Sequence, residues 1–153
     1  ELNEILRRTT QGSEANIEKV LDAEGILRHQ ALVKRVAIAE HVQDYAVRLV
    51  LATHPRSAAF GGGEFATPQV GKFVRVGASP RAAQALVLGA KCRALVDGRP
   101  SVAIDDIKAI ALPALRHRVM LNFEGEAEGL TTDAIVENIL STVPVQAELA
   151  GAR

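Results

Sequence analysis

Aromatic residues are scarce: four Phe, one Tyr and no Trp in 153 positions, 3% in all. Hydrophobic residues nevertheless reach 48%, so the core has to be built from Ala, Val, Leu and Ile. An alanine-rich, aromatic-poor chain with many Leu, Arg and Glu favours packed helices. Net charge is also lacking, since 18 Lys and Arg balance 18 Asp and Glu. A general nucleic-acid binder normally needs a basic face, so nucleic acid is not expected as a partner. A local anion site is still allowed. The one cysteine, Cys92, rules out an internal disulfide. It sits among Ala90, Leu95 and Val96 and reads as a buried, inert thiol in a reducing compartment. No apolar run approaches membrane-spanning length and no signal-peptide pattern is present, which points to a cytoplasmic chain without a membrane partner.

What is present is a series of helical patterns. Residues 1–9 place Leu2, Ile5 and Leu6 on one face. A polar loop runs from Thr10 to Asn16. The next helix is expected over Asp22–Lys34, capped by Asp22, with an imperfect stripe of Ile26, Leu27, Ala31 and Val33. Val36-Ala37-Ile38 reads as an extended connector. Over Glu40–Thr53, Val42, Tyr45, Ala46, Leu49, Val50 and Thr53 recur at helical spacing, the signature of one buried face. His54-Pro55 ends that helix. Residues 55–71, with Gly61-Gly62-Gly63 and Pro68, read as a long loop, and Lys72–Val76 alternates as a short strand.

A helix from Ser79 to Val96 follows, stopped by Asp97-Gly98 with Pro100 beyond. Another starts near Ile104, with Asp105 and Asp106 favourable in its first turn, and Pro113 is expected to kink it or begin a new turn. Val119–Phe123 is a candidate strand and Glu124–Gly129 a charged loop. Thr131 caps the last helix, with Leu130 stapling onto Ile135; Pro144 stops it. The fold expected is all-α, a small helical bundle with one or two very short strands at most.

Gly77-Ala78-Ser79-Pro80-Arg81-Ala82 opens the Ser79 helix. Ser79 suits the N-cap, and Pro80 suits the first helical position, where its missing N–H costs nothing. Arg81 falls in the first turn, where a cation opposes the helix dipole. Helix N–H groups beside an arginine make a good phosphate cradle, which gives this turn a use. The alternative is an arginine pointing into water.

Other chemistry finds little support. Gly71-Lys72 would end a Walker A motif, but that pattern puts Ala66 at its first position and Phe73 at its last, where a hydroxyl should meet Mg²⁺. No Walker B strand appears either. Asp105-Asp106 are accounted for by the helix dipole rather than by a metal. His29, His41, His54 and His117 form no zinc spacing with each other or with Cys92, and no metal site is expected. Arg116-His117-Arg118 lies near a helix end, where cations meet the carbonyl groups favourably; a contact to a neighbouring subunit or to nucleotide is the other reading.

The Gly-Ala-x-x-Arg turn resembles the sensor 2 turn of AAA+ ATPases in the form used by the MoxR family. The likeness extends to Glu4–Thr10, to Val20–Val36, to Tyr45–Thr53, to Gly77–Gly98, to Val102–Arg118 and to the closing Thr142-Val143-Pro144. The resemblance implies an AAA+ lid, with residues 1–18 ending the preceding nucleotide-binding core, 19–144 forming the lid and 145–153 a tail. It implies that Arg81 reaches the γ-phosphate and acts in catalysis, with Gly77, Ala78, Ser79 and Ala82 shaping the nucleotide contact. ATP and Mg would belong to the full-length protein, with Mg not bound by this segment. Partners implied are a neighbouring nucleotide-binding domain, identical subunits in a hexamer, and a protein with a von Willebrand factor A domain; the work is chaperone-like maturation of complexes. Two departures stand out. The stretch Arg56–Val76 is longer than in many relatives, and Ala103 stands where a Ser or Thr cap is usual. Because the chain opens at Glu1, it reads as a piece of a longer polypeptide, unable to hydrolyse ATP alone. The competing expectation is a stand-alone helical protein-interaction module without nucleotide.

Overall fold

The computed structural model describes residues 1–10, 18–55 and 65–145. The chain divides into two compact units, Glu1–Gln30 and Ala31–Arg153.

In the first unit, α1 spans Leu2–Thr10. Glu4 ties its turns together through Arg7 at 3.0 Å and Arg8 at 2.8 Å, one-turn spacings that support an isolated helix. Leu2, Ile5 and Leu6 share a face as expected, yet all three are exposed. The second helix, α2 (Ala23–Arg35), starts here. Asp22 Oδ1 accepts from the Gly25 N–H at 2.7 Å, the cap read from sequence. The expected inward stripe on α2 is not buried, because Ile26 and Leu27 face solvent. The loop expected over Thr10–Asn16 lies almost wholly outside the described residues.

The second unit holds the core. After α2 the chain extends, and Ala37 pairs with the segment before a later helix: its N–H donates to Pro100 O at 3.1 Å, and its carbonyl accepts from Val102 N at 2.9 Å. Helix α3 (Glu40–Ala52) buries Val42, Tyr45, Ala46, Leu49 and Val50, the face its periodicity defines. Residues 56–64 fall outside the described region, so most of the long loop read there is not described.

Sequence expectations fail just beyond. Helix α4 (Pro68–Phe73) occupies the end of the expected loop and the start of the expected strand, which is left with only β1 (Val74–Val76). Thr67 caps it, accepting from Val70 N at 3.2 Å, and Pro68 takes the first helical position. Six residues are too few to establish a period, so the cap is the one signal the sequence carries.

Helices α5 (Pro80–Val96) and α6 (Ile104–Leu115) pack along one another. Gly98, at φ +70°, permits the turn between them. The Arg99 N–H reaches back to Ala94 O at 2.8 Å and Gly98 N to Leu95 O at 3.0 Å, the paired closure of a Schellman motif. Pro113 stays inside α6 rather than breaking it. Strand β2 (Met120–Leu121) pairs antiparallel with β1, Val74 opposite Leu121. The expected charged loop is instead α7 (Phe123–Ala127), capped by Asn122, whose Oδ1 accepts from Gly125 N at 2.9 Å. Helix α8 (Thr132–Thr142) begins at the predicted Thr131 cap and buries Ile135, Val136 and Ile139, with Val143 just beyond it. The unit is therefore an all-α bundle with one two-stranded ribbon. Cys92 departs from expectation: its thiol is exposed on α5.

Candidate functional site

The Gly77–Ala82 turn is built against the C-terminal end of α3. Thr53, fully buried, donates its hydroxyl to Val50 O at 2.6 Å and accepts the Ala78 N–H at 2.8 Å. The next residue, His54, donates Nε2–H to the Ala78 carbonyl at 2.9 Å. A buried backbone amide outside regular structure needs such partners, and Ala78 finds both in one dipeptide. Gly77 is the residue that allows this closeness. A Cβ there would lie 2.8 Å from the His54 ring and 2.8 Å from the Thr53 carbonyl oxygen.

The turn then enters α5 at Pro80, with Ser79 in extended conformation at the N-cap. The Ser79 hydroxyl does not bond the helix backbone, so the cap is positional only. Arg81 projects from the first turn and is exposed. Among the described residues no ion pair or hydrogen bond engages its guanidinium. Ala78 and Ala82 are fully buried, so their side chains serve packing; both backbone groups of Ala78 are bonded to Thr53 and His54, and the Ala82 N–H to Ser79 O at 2.8 Å. The site residues read from sequence thus divide into an anchored base (Gly77, Ala78, Ala82) and an outward head (Ser79, Arg81). An uncommitted guanidinium at the start of a long helix suits an anionic oxygen. Gln84 and Leu88, three and seven residues further along α5, line an open apolar groove with Gln43 and Val47 of α3.

The remaining candidates are structural. Asp106, only 2% exposed, receives Arg99 as a two-pronged fork at 2.7 and 2.6 Å. Arg93 pairs with it at 3.2 Å. The Arg99 guanidinium holds the Asp106 carboxyl below its ordinary range, overcoming burial, which pushes the other way. Asp106 was expected to serve the helix dipole alone. The Arg99 and Arg93 partnership joins residues of separate elements, which periodicity does not reveal. Arg116 pairs with Asp133 at 2.9 Å, and Arg118 donates to the Ala114 carbonyl, so the basic cluster is used at the helix end. No group of His, Cys, Asp or Glu among the described residues is arranged to hold a metal.

The comparisons with known proteins bear on the bundle as a whole. Residues 68–139 match the AAA lid domain family. Chaperone MoxR1 of Mycobacterium tuberculosis is 29% identical over 126 residues, covering 82% of this chain and 32% of that protein. The uncharacterised protein YeaC of Bacillus subtilis is 31% identical over 137 residues, 90% of this chain and 38% of its own. Protein MoxR of Paracoccus denitrificans is 35% identical over 78 residues, 50% and 23%. A crystal structure of a candidate ATPase from Cytophaga hutchinsonii superposes with a TM-score of 0.79 at 32% identity, over 94% of this chain and 42% of that one. The bundle is an AAA+ lid domain. The chain carrying it belongs to the MoxR family, and it spans 23–38% of the length of these curated relatives.

Proposed function

We propose that the chain works as the nucleotide-sensing lid of an ATP-hydrolysing, chaperone-like protein, with Arg81 as the sensing residue. The observation that carries this is the state of Arg81: exposed, in the first turn of α5, and without a described partner. Arg93 and Arg99, by contrast, are committed to the Asp106 carboxylate.

In this reading residues 19–144 act as the lid, 1–18 lead in from a neighbouring nucleotide-binding domain, and 145–153 form a tail. ATP with Mg²⁺, held by that neighbouring domain, supplies the phosphoanhydride bond to be cleaved. Arg81 donates to γ-phosphate oxygens, and the open start of α5 adds its dipole. Loss of the γ-phosphate removes that contact and frees the lid to change its angle, a switch of the kind used by nucleotide hydrolases. Hydrolysis needs Walker elements, and Ala66 and Phe73 break the one Walker-A-like frame of this sequence, so the isolated chain should not turn over ATP. Assembly into a hexamer, a von Willebrand factor A domain partner, no nucleic-acid partner and a cytoplasmic site of action complete the proposal. Among the described residues no helix is long and apolar enough to cross a membrane.

The test is ATP turnover by the full-length protein with Arg81→Ala. Turnover should fall by about tenfold or more, since cationic groups on a transferring phosphoryl can contribute factors well beyond that, while the melting temperature stays put. Unchanged turnover would remove Arg81 from the mechanism.

A further inference from the structure

We propose that Thr53 and His54 are positioning residues for Arg81, so that the end of α3 sets where the sensing guanidinium stands. This rests on the Arg81 reading above and extends it to two residues outside the Gly-Ala-x-x-Arg turn. Both backbone polar groups of Ala78 are held by this one dipeptide: its N–H by Thr53 Oγ1 at 2.8 Å and its C=O by His54 Nε2 at 2.9 Å. Thr53 is itself fixed, because its proton is spent on Val50 O at 2.6 Å. That leaves the hydroxyl only acceptor capacity toward Ala78.

Gly77 completes the joint. A Cβ at this position would lie 2.8 Å from both the His54 ring and the Thr53 carbonyl oxygen, so no side chain fits there. Only Ser79 and Pro80 lie between Ala78 and Arg81, and Pro80 has no φ freedom. Few rotations therefore separate the braced amide from the guanidinium's point of origin. The Ser79 hydroxyl adds no cap bond that could orient the helix start independently. The brace, together with the buried Ala78 and Ala82, references this end of α5 to the rest of the bundle. Small displacements of a positioned catalytic group can cost up to about a hundredfold in rate.

The experiment is a cycle of variants in the full-length protein: H54A, H54Q, T53V and R81A, with H54A also combined with R81A. ATP turnover, affinity for a fluorescent ATP analogue and thermal melting are measured on each. His54 is only half-buried, so H54A is expected to fold even where T53V, at a fully buried position, does not. We expect H54A to lower turnover about tenfold in the Arg81 background. It should have no further effect on turnover or analogue affinity in the R81A background. H54Q, which keeps an N–H donor, should recover most of the loss.

Equal losses from H54A in both backgrounds would show a merely structural role and overturn the proposal. Full turnover by H54A beside a defective R81A would overturn it too, leaving the Arg81 reading intact. Full turnover by R81A would instead bring down the reading on which the proposal rests.

Discussion

Arg99 closes a two-pronged fork on the buried carboxylate of Asp106, with Nη1 at 2.7 Å from Oδ2 and Nη2 at 2.6 Å from Oδ1. The same carboxylate accepts the Ala103 N–H at 2.8 Å and pairs with Arg93 at 3.2 Å. A carboxylate offers about four lone-pair directions; here three take hydrogen bonds, two from Arg99 and one from the Ala103 N–H, and Arg93 adds an ion pair. Ala103 has no hydroxyl to cap α6, but Asp106 supplies the reciprocal half of a capping box by reaching back to the N-cap amide. One side chain thus joins α5, the α5–α6 turn and the start of α6.

Asp106→Ala should therefore be costly. It removes a helix cap and several charge-assisted hydrogen bonds at once, while Arg99, partly exposed, can turn to water. A loss of about 2–3 kcal/mol is expected. For a chain of this size that is a fall in Tm of roughly 5–10 °C. Asp106→Asn, which keeps the shape and one acceptor, should cost less. Urea or thermal unfolding measures both, and a wild-type midpoint for Asp106→Ala would contradict the account.

Acid sensitivity follows from the same residue. Arg99 lowers the Asp106 pKa in the folded state. The unfolded chain then binds the proton more readily, so this contribution is full above the ordinary carboxylate value of about 4. It fades as pH falls from there through the lower folded pKa. Wild-type stability should drop across that window more steeply than that of Asp106→Asn, which has no carboxylate to protonate. Parallel pH profiles for the two would remove Asp106 as the source.

The Tyr45 hydroxyl is buried and finds no hydrogen-bond partner among the described residues. Burial also pushes its pKa up. Its ring fills the core between other fully buried residues, so the phenyl part is needed and the oxygen is a burden. Tyr45→Phe should leave stability unchanged or raise it by up to about 1 kcal/mol, the range for removing an unsatisfied buried hydroxyl. A loss of 1 kcal/mol or more would point to a partner for the hydroxyl.

Long periodic segments were legible from sequence because one residue after another repeats the same constraint. Val42 through Thr53 and Ile135 through Val143 needed no knowledge of the rest of the chain. Caps were legible too: Asp22, Thr131 and Gly98 each act through local geometry. Short elements were not. α4 and α7 are single turns whose Thr67 and Asn122 caps outweigh the glycine and charge around them. The outward position of Ile26 and Leu27, and the exposure of Cys92, depend on what surrounds a helix, which its own sequence does not state. At the candidate site the turn and Arg81 could be read from a local motif. The Thr53–His54 brace could not, since it joins residues 24 and 25 positions apart. Its one trace was Gly77, placed where a side chain would collide.

Arg81→Lys separates charge from shape at the sensing position. Lysine keeps the cation but replaces a rigid, planar fork with a single mobile ammonium. If Arg81 grips a phosphate through paired N–H groups, the variant should retain some electrostatic benefit and lose the geometric part. Turnover in the full-length protein is expected to fall between that of the wild type and that of Arg81→Ala. Thermal stability should be unchanged for both variants, because the guanidinium is exposed and engages no described partner. A matching fall in Tm would instead mark Arg81 as a structural residue. Wild-type turnover for Arg81→Lys together with a defective Arg81→Ala would mean that charge alone suffices, and the fork would play no part.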